Sequence, residues 1–202
     1  GEYGVRDINS RVQSLDQLYA QAAGLEMFLV SKVQSWAMKT KGMFQIVSPY
    51  GKPEFQLWEK LKGKKAAQKV VWGKLKHLER AGRKVHRAYQ GDVSMLTDVC
   101  RQSIVFANLK DLIGCMRTIM LDKEVCVEHF KNRYNPRNLA TKTCGFRNVI
   151  VKLRAVVDHT KWLGLETHVC EVELVLEPYA GLRAMDPGRH LRYTAFRDIW
   201  RL

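Results

Sequence analysis

Acidic residues are scarce in this sequence: 20 Asp and Glu face 34 Lys and Arg over 202 residues, giving a formal charge of +14 and a pI near 9.7. Such an imbalance points to an anionic partner: a nucleotide, RNA, an acidic protein surface or an anionic membrane face. Cysteine is sparse and unpatterned. The five (Cys100, Cys115, Cys126, Cys144 and Cys170) form no Cys-x-x-Cys pair and have no His at metal-ligand spacing, and their odd number argues against a disulfide framework. Four of them sit in apolar runs, where a thiol packs as a small hydrophobe. A reducing intracellular compartment is expected, cytoplasm or an organelle matrix, with no secretion. The longest apolar run, residues 18–33, is broken by Gln21, Glu26 and Lys32, so no segment is expected to cross a bilayer. No basic stretch precedes an apolar one after Gly1, so no secretory signal is expected. Repeats and low-complexity tracts are lacking as well.

What is present divides the chain in two. Over residues 8–40 apolar side chains recur at helical spacing (Val12, Leu15, Leu18, Ala22, Leu25, Leu29, Val33, Trp36), with Asn9 or Ser10 placed to cap the start. This predicts a long amphipathic arm whose stripe packs on the domain or on another protein. Gly42 and the Ser48-Pro49-Tyr50-Gly51-Lys52-Pro53 stretch break the pattern and read as a linker. Residues 1–53 are therefore expected to form an arm and linker, and 54–202 a domain. Its first part, 54–88, reads as two helices meeting near Gly63 and crowded with lysine and arginine. That face is either solvated or phosphate-binding, and Trp58 and Trp72 either stack on a base or anchor it to the core.

After Asp92 the period changes to that of strands joined by helices: strands over 99–107, 124–134, 146–157 and 167–177, and helices over 109–121 and 189–200. Val125, Val127 and His129 are expected on one strand face, and Pro178 closes the last strand. The fold class is α+β: a mixed, mostly antiparallel sheet of four to five strands flanked by helices, with a long N-terminal helical arm.

Four clusters occur in order along residues 89–202: Asp98 before the first strand, Lys131-Asn132-Arg133 ending the second, Gly145-Phe146-Arg147 opening the third, and Glu171-Val172-Glu173 in the fourth. They supply two acids for a hard cation, cations for phosphate oxygens, and an aromatic ring for a base. Mg²⁺ takes carboxylates together with substrate phosphates, and phosphoryl transfer depends mostly on positioning and charge neutralisation.

This ordered set resembles the RelA/SpoT-like nucleotide pyrophosphotransferases, alarmone synthetase-like domains that move a diphosphate from ATP to an acceptor nucleotide, and within them a divergent eukaryotic or toxin-like branch. The resemblance runs from about Lys69 to Arg197. Thr97-Asp98-Val99-Cys100-Arg101-Gln102-Ser103-Ile104 is similar to the family's metal-binding strand and Lys131-Asn132-Arg133-Tyr134 to its phosphate-contacting segment. Gly145-Phe146-Arg147 is similar to its glycine-tyrosine-arginine signature, Glu171-Val172-Glu173-Leu174 to its glutamate-isoleucine-glutamine strand, and Gly188-Arg189-His190 to its closing helix.

The resemblance implies that Asp98 and Glu171 bind Mg²⁺, that Glu171 shares the metal or takes the attacking hydroxyl's proton, and that Lys131, Arg133 and Arg147 neutralise phosphates. It implies that Phe146 stacks on the acceptor, with Arg101 and His190 as further substrate contacts and the cations before Tyr89 holding ATP. Ser103 stands where the family carries an arginine, Ile150 where it carries a histidine, and Glu173 where it carries a glutamine. The expected function is Mg-dependent pyrophosphoryl or nucleotidyl transfer from ATP to a nucleotide or RNA acceptor. The alternatives are an inactive scaffold subunit of a larger, possibly organellar, complex joined through the N-terminal helix, or a basic RNA-binding module.

Overall fold

The structure, a computed structural model, describes residues 12–48, 52–138, 143–186 and 188–199. Helix α1 spans Leu15–Thr40, with Ser14 as its N-cap accepting a hydrogen bond from the Gln17 amide at 3.2 Å. The caps expected at Asn9 or Ser10 lie outside the described residues. The helix ends at Lys41, which adopts the left-handed conformation, and Gly42 follows it. The apolar stripe expected of α1 lies in the main core: Leu18, Ala22, Leu25, Leu29, Val33 and Trp36 are all buried there.

A six-stranded mixed sheet carries the rest. Its strands are β1 (Met43–Ile46), β2 (Glu54–Leu57), β3 (Arg101–Phe106), β4 (Val125–Asn132), β5 (Val149–Ala155) and β6 (Cys170–Leu176), in the order β2-β1-β3-β6-β5-β4. Among the described residues only the β3–β6 pairing is parallel. The α+β class, the mixed sheet and the long N-terminal helix are as expected; the strand count is higher because β1 and β2 were hidden. Both are four residues long, too short for alternation to register as a strand, and they pair across the stretch read as a linker. The boundary expected at 53 falls between them.

The region after β2 also differs from two helices. It holds one turn of helix, α2 (Trp58–Leu61), then a 3₁₀ turn at Lys65–Lys69, then an extended segment before α3 (Leu78–Tyr89). Helix α4 (Leu109–Met120) and the short α5 (Asp158–Trp162) follow β3 and β5. The last strand ends at Leu176, just before Pro178, as expected, but the proline also lies in the first turn of an unexpected helix, α6 (Glu177–Met185), where a missing N–H costs nothing; the expected closing helix, α7 (Arg189–Ile199), comes after it.

The two sheet faces differ in kind. On one, Ile104, Phe106, Val151, Leu153, Val172 and Leu174 pack into the core with α1 and α4. On the other, α6 covers only the end where Val105, Val175 and Ala180 form a small second cluster with Met43. The remainder of that second face is polar. Three of the cysteines, Cys100, Cys115 and Cys170, are buried as small hydrophobes, while Cys126 is half-buried and Cys144 exposed.

Candidate active site

Register fixes what the polar face presents. Arg101 lies opposite Glu171, and Glu171 opposite Lys152, which in turn faces His129. The next row reads Ser103, Glu173, Ile150, Lys131. Two rows of side chains thus cross β3, β6, β5 and β4. A bulge decides the last member of each: between Val127 and His129 the pairing skips Glu128, so Val127 faces Leu153 on the core side while His129 faces Lys152 on the polar side. His129 was expected on the same face as Val125 and Val127, and the extra residue is why it is not. The same shift carries Lys131 onto the polar face.

Asp98 is not on a strand but in the loop three residues before β3, its side chain nearly buried. One carboxylate oxygen accepts a hydrogen bond from the Lys76 ammonium at 2.5 Å and pairs with Lys84 at 3.0 Å; the other, Oδ1, is buried with no hydrogen-bond partner among the described residues. Burial would raise this carboxyl, but Lys84 and Lys76 outweigh it and hold it below the usual carboxylate range. Lys76 itself is held below the ordinary lysine range, because its burial outweighs the attraction of Asp98. Lys84, nearer the surface, is raised: Asp98 and Tyr89 overcome its burial.

Lys76 reaches Asp98 because residues 69–76 run along the sheet in place of a strand. The Val71 amide donates to the Gln45 carbonyl at 2.8 Å and the Lys76 amide to the Val99 carbonyl at 3.0 Å. The Gln102 side chain clasps the backbone of Gly73 from both sides, and a Cβ at Gly73 would sit 2.5 Å from the Arg101 carbonyl oxygen. Only glycine lets the segment approach β3 so closely.

Glu171 is half-buried, and its carboxylate makes no hydrogen bond or ion pair among the described residues. Burial, joined by the negative charges of Asp98 and Glu173, raises it above the usual range, against the opposing pull of Lys84 and Arg101. Glu173 is the opposite case. Its carboxylate accepts from Ser103 at 2.9 Å, from Asn148 at 2.5 Å and from Arg183 of α6 at 2.5 Å, and these partners hold it below the usual range despite its burial.

The other expected residues are spread more widely. Arg133 donates to the Asn148 side chain at 3.1 Å, and its Nε is buried without a partner among the described residues. The Arg147 guanidinium donates to the carbonyls of Arg133 at 2.7 Å and Asn138 at 3.3 Å, bracing the turn after β4. Phe146 packs edge-on to Tyr179, with Arg183 over its ring at 5.4 Å. His190 belongs to α7, and its side chain lies outside the described residues. Trp58 is buried edge-on against Phe44 and Trp72, an anchor rather than a platform. Trp72 instead borders an open hollow of about 170 Å³ walled by Phe44, Phe55, Val71 and Gly73, with Ser103 and Arg183 on its polar side.

The acid pair fits a cation held mainly by a ligand's phosphates. It offers two carboxylates that raise each other's cost of ionisation, one with an orphaned oxygen, and no cage of three or more ligating side chains forms among the described residues. Lys76, Lys84 and Arg101 act on it electrostatically. Lys76, Lys84 and Arg183 were not singled out in the sequence. The first two are indistinguishable from their neighbours in the basic run, and Arg183 lies in a helix the sequence did not announce.

No family model matches the sequence, and no curated protein matches it. Solved structures do. Small alarmone synthetase 1 from Bacillus subtilis, bound to its product pppGpp, superposes with a TM-score of 0.61 at 11% identity, covering 89% of this chain and 80% of that one. A second structure of the same synthetase gives 0.60 at 11% identity with the same coverage, 89% and 80%. A GTP pyrophosphokinase family protein from Streptococcus pneumoniae gives 0.55 at 11% identity, covering 90% and 77%. On that likeness the chain has the fold of the small alarmone synthetases, the RelA/SpoT-like synthetase fold.

Proposed function

We propose that the chain catalyses Mg²⁺-dependent transfer of a pyrophosphoryl group from ATP to a hydroxyl of a nucleotide or RNA acceptor. The observation that carries this reading is Glu171: a half-buried carboxylate with a raised pKa and no ion-pair partner among the described residues, beside Asp98 and within a ring of cations. A base tuned upward toward neutrality removes a hydroxyl proton more effectively than an ordinary surface glutamate. Transfer of a diphosphate requires the acceptor oxygen to bond to the β-phosphorus while the bond from that phosphorus to the α-bridging oxygen breaks, releasing AMP. Glu171 takes the acceptor's proton. Lys84, Arg101 and, across the sheet, Lys131 hold phosphate oxygens, while buried Lys76 positions Asp98.

Asp98 through Oδ1 would hold Mg²⁺ together with the substrate's phosphates, leaving Glu171 free as the base, and the ion would supply neutralisation of phosphate charge. The hollow beside Trp72 takes a base. Phe146 offers an aromatic edge for the acceptor.

The test is incubation with labelled ATP, Mg²⁺ and a panel of nucleoside phosphates and RNA, following labelled product. Glu171→Gln, which keeps shape and removes the base, is expected to slow transfer by about 10²–10⁴. No product with any acceptor, or undiminished transfer by Glu171→Gln, refutes the proposal.

A second reading, a scaffold that has lost the chemistry, is favoured by one observation: Glu173 is saturated by Ser103, Asn148 and Arg183 in the middle of the polar face. In that reading a larger assembly would meet α1 on its outward residues, such as the exposed Met27, because the helix's apolar stripe is already buried.

A further inference from the structure

From Lys60 to Lys74 the chain exposes Lys60, Lys62, Lys64, Lys65, Lys69 and Lys74 and no acid at all. None of the six pairs with a described residue, unlike Lys76 and Lys84 a few positions on. Five of them sit on a short helix, a turn through Gly63 at φ +75° and a 3₁₀ turn, and Lys74 lies in the extended segment beyond, so the cations follow one another along an irregular strap rather than around a cylinder. The Trp58 amide donates to the Gly42 carbonyl at 2.9 Å, which brings exposed Lys41 at the end of α1 beside the start of the strap.

Six like charges held together without counter-ions repel one another, and the fold leaves that repulsion uncompensated. A chain of phosphates compensates it. The strap then continues without a break into Val71, Trp72 and Gly73, which line the open hollow. Cations in file followed by a half-exposed aromatic ring form the arrangement that grips a single-stranded backbone and stacks a base. A membrane surface would call for apolar side chains among the lysines. Across Lys60–Lys74 the one large aliphatic side chain so exposed is Val71, at the edge of the hollow, and none lies among the lysines from 60 to 69.

We propose that the Lys60–Lys74 strap is a docking surface for single-stranded nucleic acid. It meets the proposed transfer site at the Trp72 hollow, but its lysines take no part in the transfer chemistry, and binding to them holds whether or not Glu171 moves a proton.

The test is a fluorescence-anisotropy titration of the full chain with labelled oligo(U) and oligo(dT) over a range of KCl concentrations. Three chains are compared: wild type, Lys62→Ala/Lys64→Ala/Lys65→Ala, and Lys110→Ala/Arg117→Ala/Lys123→Ala, which removes the same charge from exposed positions on and after α4. Each lost phosphate contact lowers the slope of log K against log salt by about 0.7, so the strap variant is expected to lose about 2 in slope and roughly 100-fold in affinity near 0.1 M salt. The α4 variant should stay within about threefold of wild type, long-range charge being screened at that salt. Preference of oligo(U) over oligo(dT) would assign the ligand as RNA, and equal binding would assign it to either strand chemistry. Equal losses in the two variants would reduce the effect to net charge and overturn the proposal. So would unchanged binding in the strap variant, or capture of anionic vesicles or polyglutamate in place of either oligonucleotide.

Discussion

Removing the Asp98 carboxylate is expected to damage the fold before it reports on chemistry. Lys76 is 9% exposed and Asp98 likewise 9%, so Asp98→Ala strands an ammonium in a site from which water is largely excluded. Taking one partner from a buried pair costs about 3–5 kcal/mol, a large share of the roughly 5–15 kcal/mol that holds a domain together. Lys84 is less affected, since its side chain is 27% exposed and can turn to solvent.

The cost should depend on pH in a stated direction. Burial already depresses Lys76 in the presence of Asp98, and without the carboxylate it falls further. A base with a depressed folded-state pKa destabilises while it is forced to stay protonated, so the penalty of Asp98→Ala should shrink as pH rises from neutrality toward about 9. Converting the stranded lysine as well, in Asp98→Ala/Lys76→Met, replaces the pair by apolar groups and should return most of the loss. Urea unfolding of the four chains, followed by tryptophan fluorescence, gives the coupling energy, expected to be about 2 kcal/mol or more. Additive single effects, within about 0.5 kcal/mol, would refute the buried-pair account. They would also free Asp98→Ala for use as a purely chemical probe.

Deleting Glu128 should cost only about 1 kcal/mol, because it removes the residue the ladder skips: His129 then follows Val127 in a regular strand and still faces Lys152, and Lys131 still faces Ile150. Glu128→Ala keeps the bulge and loses only a partly exposed pair with Arg154 at 2.6 Å, at a cost below about 1 kcal/mol. A deletion that costs more than about 2 kcal/mol beyond Glu128→Ala in urea unfolding would refute Glu128 as the extra residue of the bulge. His168, buried between α1 and β6 with its Nε2 unpartnered among the described residues, is pushed down to about 4 by burial. Its neutral form is the folded form, so stability is full above the unfolded value near 6.5 and falls by about 1.4 kcal/mol per pH unit as pH drops toward 4. His168→Leu should flatten that part of the urea-midpoint profile; an unchanged slope would refute it.

The strands β3, β4, β5 and β6 and the helices α1 and α4 were legible in the sequence because each is long enough for its period to show, and Asp98, Lys131, Phe146 and Glu171 stood out by their order along them. Periodicity is a local property, so it announces an element but not its neighbour. The β1–β2 hairpin stayed hidden in a stretch that looks like a linker, since its two short strands become strands only by pairing. One unpaired residue in β4, which no composition reveals, put Lys131 on the polar face, and long-range packing set Lys76 and Lys84 on Asp98 and Arg183 on Glu173. The residue types that can handle phosphate were thus written in the sequence. Tertiary contact alone determined that Asp98 and Glu173 are neutralised by internal cations while Glu171 keeps a raised, unpaired carboxylate, because desolvation and Coulomb energy depend on distances between groups far apart along the chain.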